Sequence, residues 1–309
     1  MDKLVRMSTS PHIHSGRSTA KIMRDVIIAL LPATVAGIVI FGLRALLIVA
    51  TCVLSCVLFE LLFNFLVKKD MTIGDFSAAL TGLLLALNLP ANIPVWQCVI
   101  GSLFAIVLVK GIFGGIGCNL VNPAITARVF MLISFSSMAT QAMPKIVDTA
   151  SSATPLVQMA AGKTVDMTSL LLGTTGGAIG ETCAIALLVG FAYLLVRRVI
   201  TWQIPVCFVG SVFVLSFLME SFDPMKALAA ILSGGLLIGA IFMATDYVTS
   251  PSTAWGKVVF GVGAGLLTFL IRYYGVYPEG VSFAILLMNI VNPYIEKLTA
   301  HRVFGGKKA

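Results

Sequence analysis

The loop at residues 138–179 contains the first candidate for chemistry, a threonine hydroxyl. Its run over 148–155, Asp-Thr-Ala-Ser-Ser-Ala-Thr-Pro, consists of small hydroxyl and alanine residues closed by a proline. Because Thr154 precedes Pro155, its backbone is pushed away from the helical region towards an extended or turn conformation. The pattern therefore predicts an exposed segment with an accessible hydroxyl at Thr154, and by itself it indicates only a loop.

A second candidate is Glu60, a carboxylate in the middle of a long apolar run. An ionisable side chain at membrane depth costs about 3 kcal/mol on insertion scales, so it needs a partner or a function. Two interpretations are open. Glu60 belongs to a path for an ion or a proton, or it pairs with Asn64 one helical turn away or with a polar group on another helix.

Patterns typical of soluble active sites are absent from the sequence, and we expect neither catalytic residues nor a metal site. There is no nucleophile with its base, no G-x-G-x-x-G after a strand and no H-E-x-x-H. The six cysteines show no C-x-x-C spacing, so they predict neither disulfides nor an iron–sulfur site. The pairs Cys52/Cys56 and His12/His14 are weak metal candidates because no further ligand lies nearby in the sequence.

The elements that must position these residues are strongly apolar. The 309 residues are 58% hydrophobic and 11% charged, and the mean hydropathy is +1.01, so the bilayer is the solvent. We predict an all-α integral membrane protein of about ten transmembrane helices. Apolar stretches of roughly 15–23 residues, each able to cross ~30 Å of hydrocarbon, lie near 22–43, 45–67, 73–89, 95–113, 121–137, 180–196, 203–220, 225–243, 256–274 and 280–296.

The basic residues predict the orientation in the membrane. With both termini in the cytoplasm, 16 of the 21 Lys and Arg fall on the cytoplasmic side and 5 on the other, as the positive-inside rule requires. The net charge of +8 is thereby explained without a nucleic-acid partner, and we expect none. The prediction places the arm 1–21 and the tail 297–309 in the cytoplasm and the loop 138–179 outside.

A short motif occurs twice in the chain. Asn-Leu-Val-Asn-Pro at 119–123 returns as Asn-Ile-Val-Asn-Pro at 289–293, on the fifth and tenth predicted spans. Five spans per half would make the second half, 180–296, inverted relative to the first, 22–137. The other interpretation is that Asn-Pro merely marks two helix ends.

Several segments together carry a resemblance to a known family. The loop matches the D-x-x-[S/T]-G-A-T recognition sequence of flavin transferases at Asp148, Ser151, Ala153 and Thr154, and Ser152 stands where glycine is usual. Over its full length the chain resembles the D subunits of Rnf ferredoxin:NAD⁺ oxidoreductase complexes and is similar to the B subunits of sodium-translocating NADH:quinone oxidoreductases. The other segments that match are 10–12, 23–32, 114–130 and 244–253.

The resemblance implies a flavin-bearing subunit of an ion-translocating complex that moves Na⁺ or H⁺. It implies FMN joined through its phosphate to the oxygen of Thr154, with Pro155 closing the recognition loop. It also suggests a second, noncovalent flavin of the riboflavin type, for which the candidate ligands are Asn119, Asn122, Asp246 and Thr249. Capping of helix ends is the competing role for Asn122 and Asp246.

The resemblance also implies partners. These are the other membrane and peripheral subunits of the complex, including a second flavin-bearing subunit and iron–sulfur subunits, a flavin transferase for maturation, and the membrane lipid. The chain has no NADH site or iron–sulfur motif of its own, so we expect no turnover from the isolated protein. The alternatives are a stand-alone transporter or channel and a redox-inert membrane anchor, neither of which needs a transferase signal.

Overall fold

The computed structural model describes residues 18–69, 71–135, 138, 155–160, 166–220, 222–275 and 280–300. In these ranges the chain is helical and contains no strand. A short 3₁₀ turn covers Ile73–Asp75, and two helices continue as π-helices. The helices are α1 Thr19–Phe41, α2 Leu43–Val67, α3 Ser77–Leu87, α4 Val95–Leu103 with the π-helix Phe104–Gly111, α5 Pro123–Ser134, α6 Pro155–Ala160, α7 Met167–Leu172, α8 Ala184–Val196, α9 Gln203–Met219, α10 Pro224–Leu232, α11 Leu236–Ile238 with the π-helix Gly239–Met243, α12 Ala254–Tyr274 and α13 Val281–Thr299.

The apolar helices confirm the predicted class, a helical membrane protein. In the described ranges four helices, α1, α2, α12 and α13, are long and apolar enough to cross a membrane. Helix α10 and the segment Leu236–Met243 together add a fifth, bent span. Shorter apolar helices lie at the other five predicted positions, at Ser77–Leu87, Val95–Gly111, Pro123–Ser134, Ala184–Val196 and Gln203–Met219.

The predicted span 225–243 is not one straight helix but is broken with a bend of 66°. The break lies at residues 233–235, where Gly234 has a φ of +68° that a side chain would strain. The carbonyls freed at the end of α10 are satisfied by Arg272 of α12, which donates to Ala230 O at 2.7 Å and to Ser233 O at 3.1 Å. A charged residue from a neighbouring helix thus stabilises the break.

The bundle has two ends, which we name after residues of α1. At the Ser18 end, α1 begins and α13 finishes, and the hydroxyls of Thr253 and Thr299 lie 2.6 Å apart. At the Gly42 end, α1 gives way to α2, and Arg44 donates to Asn92 O at 3.3 Å. Because the chain reverses direction between successive spans, the loops after α2, α4, α8 and α11 all lie at the Ser18 end.

Packing relates helices of the first and second parts of the chain in a matching way. Helix α2 packs on α3 and α4, as α9 packs on α10 and α12, while α1 contacts α8 and α5 contacts α13. The α1–α8 contact is close enough that a Cβ on Gly190 would collide with the carbonyl oxygen of Ala29. The buried apolar core runs continuously through both parts.

The two Asn-x-x-Asn-Pro segments do not lie at equivalent positions in their helices. Pro123 opens α5, whereas Pro293 lies inside α13, towards its end. Both segments are therefore at the Ser18 end, whereas inverted halves place equivalent segments at opposite ends. The repeated motif therefore does not mark equivalent positions in two inverted halves, as we expected from the sequence.

Candidate functional site

A cleft of about 100 Å³ lies at the Ser18 end, between the first turns of α1 and α3, the start of α5 and the loop after α11. Apolar side chains from α1, α3, α8 and the second π-helix provide most of its wall. The polar residues that line it are Ser77, Thr81, Lys110, Asn119, Asn122, Thr245, Asp246 and Tyr247.

Asn119 lines this cleft and has an unpaired side-chain acceptor. Its side-chain oxygen is buried and has no hydrogen-bond partner among the described residues. A buried acceptor left unpaired costs about 1–3 kcal/mol, which a hydroxyl or N–H of a bound molecule recovers. Asn119, predicted as a flavin ligand, is therefore placed as a ligand-binding residue would be.

Asn122 has a mainly structural role, although it also lines the cleft. Its side-chain oxygen caps α5 by accepting from the N–H groups of Ala124 at 3.0 Å and Ile125 at 3.4 Å. Its amide nitrogen donates to Met243 O at 3.3 Å, which ties the start of α5 to the end of the second π-helix. These bonds engage both polar atoms of the side chain.

The second Asn-x-x-Asn-Pro segment contacts the first directly. With its carboxamide oriented to suit its neighbours, Asn289 accepts from the backbone N–H of Asn122 at 3.2 Å and donates to Thr249 O at 3.2 Å. Asn292, one turn further along α13, has a buried side-chain oxygen without a hydrogen-bond partner in the described ranges. The contact between the two segments therefore runs through Asn289.

The loop after α11 supplies the remaining two predicted residues. Asp246 lines the cleft and accepts from the Thr249 hydroxyl at 3.2 Å, and burial raises the pKa of its carboxyl. Thr249 is 2% exposed and lies behind the cleft rather than in its wall. Three of the four predicted residues thus line one cleft, and Thr249 supports it from behind.

Sequence reasoning did not identify Lys110 as part of this site. Lys110 is the last residue but one of the first π-helix and is 3% exposed, and its Nζ lies 2.7 Å from Glu60 Oε1 and 2.7 Å from Ser77 Oγ. Thr72 completes the network by donating to Glu60 Oε1 at 2.9 Å and accepting from Asn64 at 3.0 Å. The structure therefore pairs Glu60 with a polar group on another helix, one of the two interpretations open from the sequence.

A second cavity of about 270 Å³ is also lined by Lys110. Lys110 and Ile116 line both this cavity and the cleft, and Glu60 lines only the second cavity. Its wall includes the glycine turn after the π-helix, where Gly114 and Gly115 have φ values of +119° and +104°. Lys110 therefore borders both spaces.

A further buried charge cluster lies deeper in the bundle. Arg128 of α5 donates to the side-chain oxygen of Asn88 at 2.7 Å and lies 3.9 Å from Glu181 Oε2. Glu181 in turn accepts from Ala178 N at 2.8 Å, next to backbone bonds that join residues 179–180 to 87–89. This cluster joins α5, the end of α3 and the segment before α8.

Two of the basic residues that we counted as cytoplasmic loop charges, Lys110 and Arg128, are in fact buried inside helices. Each has a carboxylate partner that lies far away in the sequence, so the charge count gave no sign of it. Without these two residues, fourteen Lys and Arg lie on the predicted cytoplasmic side and five on the other. The excess of basic residues on the cytoplasmic side therefore remains.

The predicted covalent site is only partly within the described structure. Asp148, Ser151, Ser152, Ala153 and Thr154 lie outside the described residues. Pro155, bonded to Thr154, is buried at the start of α6 and lines a very small cavity of about 10 Å³ with Glu181, Ser233 and Gly234. Arg272, near the end of α12, packs beside the same glycine, so this cavity is towards the Gly42 end.

The cleft at the Ser18 end suits a planar, partly apolar molecule that bears hydrogen-bond donors. Apolar walls bury a ring, the free oxygen of Asn119 accepts a hydrogen bond, and the Lys110 ammonium favours negative charge. The polar residues of the wall are of types that could hold the hydroxyl and N–H groups of a riboflavin-type flavin.

Comparison with known proteins places the chain in a family. The model of the NQR2, RnfD, RnfE family matches residues 6–305. The D subunit of the Na⁺-translocating ferredoxin:NAD⁺ oxidoreductase complex of Acetobacterium woodii is 47% identical over 98% of this chain and 96% of its own. The proton-translocating counterpart from Clostridium ljungdahlii is 40% identical over the same shares, and the D subunit of the ion-translocating oxidoreductase complex of Escherichia coli is 35% identical over 98% and 99%. The chain belongs to the NQR2, RnfD, RnfE family.

Proposed function

We propose that this protein is the D subunit of an ion-translocating ferredoxin:NAD⁺ oxidoreductase complex and that it carries flavin. The proposal is supported by the near full-length similarity to subunits with that name. The observation in the structure that carries it is the cleft at the Ser18 end, whose wall includes Lys110 and Asn119, and Asn119 has a side-chain oxygen without a hydrogen-bond partner among the described residues. Relatives named for Na⁺ and for protons are both similar, so the proposal covers either ion.

Ten spans in two inverted halves are part of this proposal. The matching packing of α2 with α3 and α4, and of α9 with α10 and α12, supports it, as do the α1–α8 and α5–α13 contacts. The excess of basic residues in loops at the Ser18 end supports a cytoplasmic position for that end and for both termini. The loop 138–179 is then on the outer side of the bacterial inner membrane.

Thr154 is the proposed attachment site of FMN, through a phosphoester. The support is the match of Asp148, Ser151, Ala153 and Thr154 to the transferase pattern. The neighbouring Pro155 lies towards the Gly42 end, so this flavin and the noncovalent one in the cleft are proposed to lie on opposite sides of the bundle. A flavin exchanges one or two electrons, while the protein sets its position and electrostatic environment.

Partner subunits supply the remaining redox chemistry in this proposal. The sequence has no iron–sulfur or dinucleotide motif, so ferredoxin and NAD⁺ are bound by partners, among them iron–sulfur subunits and a second flavin-bearing subunit. A flavin transferase completes maturation. The stand-alone transporter or channel and the inert anchor are the competing proposals.

The covalent flavin is tested on a denaturing gel, with the full chain produced beside its cognate flavin transferase. Wild-type protein is expected to fluoresce under ultraviolet light and Thr154→Ala to be dark. Thr149→Ala, which removes another hydroxyl from the same run, is the matched control and should stay fluorescent. A dark wild-type band, or mass spectrometry showing the Thr154 peptide unmodified, supports the transporter or the anchor instead.

The noncovalent flavin is tested by extracting denatured protein and measuring the flavin that is released. Asn119→Leu removes the unpaired acceptor and is expected to lower released flavin severalfold without changing covalent fluorescence. Asn122→Leu should also lower released flavin, but together with loss of folded protein, because it removes the cap of α5. Asn92→Leu, exposed at the Gly42 end, is the control. Unchanged release from Asn119→Leu excludes this cleft as the site.

A further inference from the structure

Lys110 contributes to the walls of two cavities. It lines the cleft together with Asn119, and it lines the second cavity together with Glu60. Its ammonium contacts Glu60 Oε1 and Ser77 Oγ, each at 2.7 Å. Ser77 itself lines the cleft, so the hydrogen bonds of this single ammonium connect the two spaces.

Lys110 and Glu60 form a buried ion pair in which one carboxylate oxygen lacks a hydrogen bond. Removing an ammonium and a carboxylate from water costs several kcal/mol per ion, which is recovered only by close pairing and further hydrogen bonds. Glu60 Oε1 has two partners, Lys110 and Thr72, but Glu60 Oε2 is buried without a hydrogen-bond partner among the described residues. The charge of the buried Glu60 carboxylate is therefore stabilised mainly by Lys110.

The π-helix explains why a lysine can occupy this position. The segment Phe104–Gly111 is wound more widely than an α-helix, and Lys110 is its last residue but one. The wider turn changes the direction of residues that follow α4, and such segments are frequent at functional sites. The turn after it is held by the Gly115 N–H, which donates to Lys110 O at 3.0 Å.

We propose that Lys110 couples the charge of the flavin in the cleft to the charge of Glu60, and that it thereby sets the redox potential of that flavin. The inference rests on the proposed noncovalent flavin. An electron added to the cleft attracts the ammonium and weakens its hold on Glu60. Conversely, a bare Glu60 carboxylate makes adding that electron harder, because charges interact strongly at short range where water is excluded. Lys110 is thus a positioning and tuning residue, connected to the second cavity through Glu60.

The test is a redox titration of full-length protein that carries Thr154→Ala, so that the noncovalent flavin is the one observed. Dithionite supplies the electrons and is oxidised to sulfite, and flavin absorbance reports the ratio of oxidised to reduced form. Lys110→Met should favour the oxidised form at least tenfold at a fixed potential, a shift of about 59 mV for one electron. Glu60→Gln should move the ratio in the opposite direction, and the double variant should return towards the parent.

Lys69→Met is the matched control. Lys69 lines the second cavity but not the cleft, and its ammonium lies over the Phe63 ring at 5.8 Å. Its replacement should leave the ratio unchanged. An equal shift in Lys69→Met, or no shift in Lys110→Met, overturns the inference.

Flavin content separates the two levels of the proposal. If the Thr154→Ala parent releases no flavin on denaturation, the cleft is not a flavin site and the inference falls with it before any titration. If Lys110→Met is the one variant that loses its flavin, Glu60→Gln still tests the coupling, because this variant keeps the Lys110 ammonium. A potential unchanged in Glu60→Gln then overturns the coupling while the flavin site stands.

Discussion

The two Asn-x-x-Asn-Pro segments have the same letters but different structures. At 119–123 the segment ends a loop, and Asn122 and Pro123 start α5. At 289–293 it lies within α13, and its proline is accommodated inside the helix. The segments nevertheless meet at the Ser18 end, through the Asn289 side chain and the Asn122 backbone.

Their difference shows that the role of each asparagine is set by its surroundings. In the first segment both polar atoms of the second asparagine, Asn122, are hydrogen-bonded, and the first, Asn119, lines the cleft and has an unpaired oxygen. In the second segment the order is reversed, with Asn289 bonded and Asn292 carrying the unpaired oxygen. Fold stability should therefore depend on Asn122 and Asn289 much more than on Asn119 and Asn292.

The largest loss of stability is expected for Asn122→Ala. Loss of the cap costs about 1–2 kcal/mol, and leaving the Met243 carbonyl without its donor adds about 1–3 kcal/mol. The thermal midpoint of the purified protein in detergent should fall by several degrees. Asn122→Asp keeps the capping oxygen but removes the donor, so its midpoint should lie between those of wild type and Asn122→Ala. Equal midpoints for the wild type and Asn122→Asp would mean that the bond to Met243 contributes nothing.

Asn289→Leu is expected to have the next largest effect. It removes the bonds to the Asn122 N–H and to Thr249 O, both of which are then left unpaired in a buried region, at about 1–3 kcal/mol. The same measurement should show a clear fall in the midpoint. A midpoint like that of wild type would show that the contact between the segments does not stabilise the fold.

The sequence was sufficient to predict the membrane class and the positions of the apolar helices. These depend on hydropathy and on local signals such as Asn-Pro before α5. The candidate residues of the cleft came instead from the resemblance to a family, and Lys110 was not among them. The sequence did not predict the bend at residues 233–235, because the freed carbonyls are satisfied by Arg272, which is about forty residues away in the sequence. The run Ser-Gly-Gly was the one local sign of a break.

The buried ion pairs were missed for a related reason. Lys110 is fifty residues from Glu60, and Arg128 lies further still from its partner Glu181 along the chain. A basic residue near a helix end has the same pattern whether it faces water or a buried carboxylate. A carboxylate within an apolar run indicates that Glu60 has a polar partner. Which residue that partner is depends on how the helices pack.

A smaller, pH-dependent effect is expected at Asp246, in the loop that also holds Thr249. Burial raises the pKa of its carboxyl in the folded protein above the ordinary value of about 3.9. The folded state then binds this proton more tightly than the unfolded state, so its stabilising contribution is present below about pH 4 and is lost as pH rises through the raised pKa. Asn cannot lose a proton but can still accept the Thr249 hydrogen bond.

Asp246→Asn should therefore unfold at the same temperature as wild type near pH 4 and at a higher temperature at pH 7. Thermal unfolding at both values checks the prediction. Asp166→Asn is the control, since Asp166 is exposed and hydrogen bonds from Thr168 and Ser169 lower the pKa of its carboxyl instead. Its replacement should have the opposite sign, with stability lost at pH 7. A gap between Asp246→Asn and wild type that is the same at both pH values would exclude the carboxyl as its cause.

The smallest effect is expected for Asn292→Leu, on the same helix as Asn289 and one turn away. Asn292 is 7% exposed, and its side-chain oxygen has no hydrogen-bond partner in the described ranges, so leucine of similar size removes an unpaired acceptor and adds apolar contact. The midpoint should stay within about 1 °C of wild type or rise, since ~1 kcal/mol corresponds to about 2–4 °C in proteins of this order of size. Because Asn289→Leu makes the identical chemical change three residues earlier, equal losses in the two variants would show that α13 rejects leucine here for its shape. A loss confined to Asn289 would assign the stability to the contact between the segments.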